Sequence, residues 1–67
     1  MLKDEAVKLM ECMERFRGAF NDATEITITM RDADEGKRVR AILGAMVAQS
    51  LDLVTMIERQ YPEVRAD

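Results

Sequence analysis

Sixty-seven residues with a formal net charge of −3 make at most one small acidic domain, a balance that disfavours general affinity for nucleic acid or anionic lipid, since both attract basic proteins. The chain has no His and no Trp, and Cys12 is its only cysteine, which excludes Cys–His catalysis, imidazole metal ligation and an internal disulfide. Hydrophobic residues make up 48% of the chain, with only Phe16, Phe20 and Tyr61 aromatic, and this is more apolar surface than two short helices hide by themselves.

Lys3, Asp4 and Glu5 bring charge too early for an export signal, and no long uncharged apolar run is evident, so the expected location is the cytosol with no membrane association. From there Leu2, Ala6, Leu9, Met13, Phe16, Phe20, Ala23, Thr27 and Met30 follow a 4-3-4-3 spacing, which lines one edge of an α-helix. Cys12, Ala19 and Ile26 widen that edge. Asp4 with Lys8 and Glu11 with Arg15 stand at i,i+4 in the favourable acid-first order on the opposite side. The pattern predicts helix 1 over about residues 3–31. The β-branched run Ile26-Thr27-Ile28-Thr29 also suits a half-buried strand, but a strand needs a partner and the chain offers no second one. If helix 1 is continuous there, replacing Thr27 and Thr29 by Ala is expected to raise stability.

Residues 32–36, Asp32-Ala33-Asp34-Glu35-Gly36, read as the turn, with Asp32 or Asp34 capping the next helix. Helix 2 is expected over about 37–60 and to stop at Tyr61-Pro62, with 62–67 a loose tail. Its apolar residues form two adjacent stripes, Val39, Ile42, Met46, Leu53 and Met56 beside Leu43, Val47, Val54, Ile57 and Tyr61, wider than one neighbouring helix covers. Ala41, Gly44, Ala45 and Ala48 leave room for another backbone. The expected fold is an all-α, antiparallel helical hairpin that dimerises into a four-helix bundle, with Leu43, Met46, Ser50, Leu53 and Ile57 as its dimer interface. Gln49 and Ser50, polar among apolar neighbours, are suited to fixing helix register.

No residue group completes a catalytic, cofactor or metal motif. Asp32, Asp34 and Glu35 start like a calcium loop, but the glycine comes one position early and the twelfth position falls on Leu43. Met10, Cys12 and Met13 supply soft sulfur of the type that holds Cu(I), but they stand at or beside the core seam of the helix, where ordinary packing is the preferred explanation. The function expected is therefore non-enzymatic: a homodimeric protein-interaction or regulatory module. The alternative is a nucleic-acid-binding regulator using Arg31, Lys37, Arg38 and Arg40, four cations gathered at the hairpin tip, where they oppose the helix macrodipole.

Two family resemblances bear on that alternative. Asp32-Ala33-Asp34-Glu35 resembles the inter-helix loop of Rop, the plasmid copy-number regulator, whose family forms homodimeric four-helix bundles and binds paired RNA loops. Aligned on that turn, the RNA-contacting aromatic of the family falls on Phe16, while its polar contact positions fall on Glu5, Cys12, Phe20 and Thr27, which depart from the family residues. On the strand reading, Thr27, Thr29 and Arg31 resemble the outward residues that ribbon-helix-helix repressors insert into the DNA major groove. That reading requires helix 2 to break at Gly44, with Ser50 capping a further helix, and lacks the usual proline after the strand.

Overall fold

A computed structural model describes residues 1–64. Two long antiparallel helices, α1 (Lys3–Ile28) and α2 (Ala33–Gln60), are followed by a single 3₁₀ turn, η1 (Pro62–Val64). The molecule is therefore an all-α hairpin, and no strand occurs among the described residues.

At its start α1 is held by Glu5, whose Oε1 accepts from the Leu2 amide at 2.6 Å and so satisfies a donor that the helix itself leaves open. The β-branched run that also suited a strand is helical through Ile28, which removes the ribbon arrangement. Threonine hydroxyls explain how the helix carries it. Thr24 donates to the Phe20 carbonyl at 2.9 Å, and Thr27 to the Thr24 carbonyl at 2.6 Å, so the hydroxyls bond within the helix and are not left unpaired. Beyond Ile28 the ladder runs out. Thr29 is the C-cap and its hydroxyl donates to the Ile26 carbonyl at 3.0 Å, so α1 ends about one turn before the expected residue 31.

The connection is shorter than residues 32–36 and lies earlier, because Asp32 is an N-cap. Its Oδ1 accepts from the amides of Asp34 at 3.0 Å and Glu35 at 3.1 Å, which lets α2 begin at Ala33. Asp34 and Glu35 then occupy the first turn, where carboxylates complement the positive end of the helix. At its other end α2 closes on Tyr61, whose amide donates to the Ile57 carbonyl at 2.8 Å. Residues 62–64 of the expected tail form η1. Lys3 Nζ stands 3.6 Å from Glu63 Oε1, and the Tyr61 hydroxyl donates to the Met1 carbonyl, so the two chain ends are tied together. The rest of that segment, 65–67, lies outside the described residues.

Between the helices the seam is narrow. Ala6, Phe20 and Ile57 are the buried hydrophobic residues among those described, joined by Thr27 and Gly36. Residues 6, 13, 20 and 27 on α1 and 36, 43, 50 and 57 on α2 are spaced by seven, the repeat that keeps one edge of a helix against an antiparallel neighbour. The rod measures 45 × 19 × 16 Å with a radius of gyration of 14.7 Å, against about 11 Å for a compact chain of this length.

Candidate interaction surface

The hairpin has two broad sides, and they differ in chemistry. One side carries a groove of about 360 Å³ between the helices, floored by Met10, Met13, Phe20, Val47, Leu51 and Val54 and rimmed by Glu14, Arg17, Asn21 and Glu58. Arg17 Nη2 donates to Glu14 Oε1 at 2.8 Å on that rim. Polar and ionic groups thus surround an apolar floor.

The other side is apolar along its middle, with the exposed charges Glu5, Lys8, Glu35 and Arg38 toward its ends. At about 100° per residue, Leu9, Cys12, Phe16, Ala19, Ala23 and Ile26 fall on one edge of α1, turned away from the groove. Val39, Ile42, Met46, Gln49, Leu53, Met56 and Gln60 fall on the matching edge of α2. Both rows keep a 3-4 spacing with no charged residue along the middle of the rod, and one step further toward the N-terminus each reaches a carboxylate, Glu5 in α1 and Glu35 in α2. Phe16, Ile26, Ile42, Met46 and Met56 are exposed, Ile26 at 65% and Ile42 at 62%. Phe16 is not a stray ring. Its centroid lies 4.5 Å from that of the buried Phe20 at an interplanar angle of 75°, so an edge-to-face pair joins this face to the hairpin seam.

The residues expected to form a dimer interface divide between these surroundings. Met46 is exposed and Leu53 half-buried on the side away from the groove, Leu43 and Ser50 are half-buried toward the seam, and Ile57 is wholly covered within one chain. Ser50 donates to the Val47 carbonyl at 2.7 Å. Ala41, Gly44, Ala45 and Ala48 are exposed, and a Cβ built on Gly44 meets nothing within 4 Å.

The four tip cations are not equivalent. Arg31, Lys37 and Arg38 are exposed, whereas Arg40 is half-buried and its Nη1 donates to Thr27 Oγ1 at 3.2 Å. Arg40 thus closes the tip from inside, a role that the sequence did not suggest because its partner lies thirteen residues away. The sulfur residues separate as well. Met10 and Met13 line the groove, while Cys12 is exposed on α1 with Arg15 Nη2 donating to its Sγ at 3.2 Å. Among the described residues no three His, Cys, Asp or Glu side chains stand together in a way that could hold a metal.

Comparison with family models, curated proteins and solved structures finds no match. The surface itself is what remains to be read. One further property belongs to it: α2 has an 18-residue window of mean hydropathy 1.4, long and apolar enough by length and composition to cross a membrane. That window draws on the same apolar residues that the hairpin leaves uncovered.

Proposed function

We propose that this chain acts as a non-enzymatic interaction module, a helical hairpin that works as a homodimeric four-helix bundle and offers its remaining surfaces to another protein. The observation that carries this reading is the surface the hairpin leaves open. Its accessible surface is 5335 Å², whereas a compact monomer of 7.7 kDa exposes about 4,300 Å². The excess, about 1,000 Å², is comparable to the ~800 Å² that each partner contributes to a standard protein interface. Its composition supports the same conclusion, because among the described residues ten large hydrophobic side chains are exposed while Ala6, Phe20 and Ile57 are the hydrophobic residues that are buried. A chain this apolar with so few buried residues requires a cover, and a bundle of four helices is the standard arrangement in which each helix has two neighbours.

Sedimentation equilibrium across the micromolar range tests the reading. A two-chain mass, with a melting temperature that rises with concentration, is the expected result; a monomer throughout would overturn it. Binding of RNA or DNA that weakens steeply with salt would instead favour the regulator that acts through Arg31, Lys37 and Arg38.

A further inference from the structure

We propose that the second copy docks on the side away from the groove, over Phe16, Ile26, Ile42, Met46, Leu53 and Met56, and that the groove stays open in the dimer. This inference rests on the homodimer reading and adds which face is used. The first argument is periodicity. Each helix carries two heptad rows about a quarter turn apart, one spent on the hairpin seam and the other facing outward, and two such rows are what a helix needs when it has two neighbours in a left-handed bundle.

The second argument is self-complementarity. A two-fold interface sets each residue against the same surface of its partner, so a charge near the axis meets its own copy. The rows from Leu9 to Ile26 and from Val39 to Gln60 contain no charged residue, Glu5 and Glu35 lying beyond their ends, while the groove side carries Glu14, Arg17 and Glu58 at mid-length. The polar residue at the middle of the α2 row, Gln49, both donates and accepts and is therefore compatible with a copy of itself. Area supports a second copy as the occupant, since the surplus surface of the whole rod is about one partner's share of a stable dimer.

The test is sedimentation of the wild-type chain, Met46→Glu and Leu51→Glu over the same concentrations. Met46→Glu should weaken the dimer on the order of a hundredfold or more, because it buries like charges against one another, and Leu51→Glu, on the groove side, should leave it intact. A dimer that survives Met46→Glu but is lost with Leu51→Glu overturns the face while the homodimer stands. A wild-type chain that remains monomeric overturns both, including the case in which it partitions into phosphatidylcholine vesicles and lipid is the cover. Cys12 supplies a readout free of folding defects. It lies exposed in the α1 row, so its reaction with a thiol reagent should slow in step with dimer formation in the wild-type chain; a rate indifferent to the dimer fraction overturns the proposal.

Discussion

Gly36 lies so close to the Thr27 carbonyl that a Cβ at that position would stand 2.7 Å from the oxygen. The first turn of α2 is thereby pressed against the last turns of α1, and the absence of a side chain is what allows the two backbones to meet there.

Gly36→Ala should therefore destabilise the hairpin by about 1–3 kcal/mol, as overpacking against an unyielding backbone does. Gly44→Ala is the control, because nothing lies within 4 Å of the added methyl, and it should stabilise by about 1 kcal/mol through helix propensity. Thermal unfolding followed by circular dichroism, at one fixed protein concentration, gives both signs. Two substitutions of the same sign would refute the close approach.

Thr27 behaves otherwise than its β-branched chemistry suggests. It is 4% exposed, donates to the Thr24 carbonyl and accepts from Arg40. Thr27→Ala should consequently lower stability by roughly 1–2 kcal/mol, through lost packing and an Arg40 donor left without its partner. This reverses the gain expected for a continuous helix. Thr29, an exposed C-cap, should respond far less to the same change. Equal effects at the two positions in chemical denaturation would count against the Thr27–Arg40 link.

Asp32→Ala removes the acceptor of two amides and should cost about 1 kcal/mol, with Asp32→Asn retaining most of the stability because Asn caps nearly as well as Asp. Urea midpoints for the pair would show it. A loss as large for Asn as for Ala would mean that charge, and not the cap, is the important property.

Gln49→Leu should tighten the dimer and raise its melting temperature, since Gln49 interrupts the apolar stretch from Val39 to Met56 in the α2 row and such residues specify register at a cost in stability. Dilution experiments read this directly. An unchanged or weaker dimer would place Gln49 outside the interface.

Much of the architecture was legible in local chemistry. The heptad spacing of α1, the capping carboxylate at Asp32 and the Tyr61-Pro62 stop are short-range signals, because each depends on residues within about one turn of each other. The end of α1 was less legible. Ile26-Thr27-Ile28-Thr29 satisfies helix and strand periodicity alike over so few residues, and the choice came from packing: Thr27 is buried under Arg40 and Gly36, contacts that span nine to thirteen positions of sequence.

The two apolar rows mark the final division. By itself the sequence determined that both helices carry more apolar edge than one neighbour covers, since periodicity reports which residues share a face. It could not determine which row turns inward, because both are apolar and equally spaced. Tertiary structure decided this by placing Ile57 in the seam and leaving Ile42 and Met46 outside. The physical reason is steric: Gly36 admits the Thr27 backbone where a Cβ would stand 2.7 Å from its oxygen, and that contact sets the rotation of α2 against α1 at the tip.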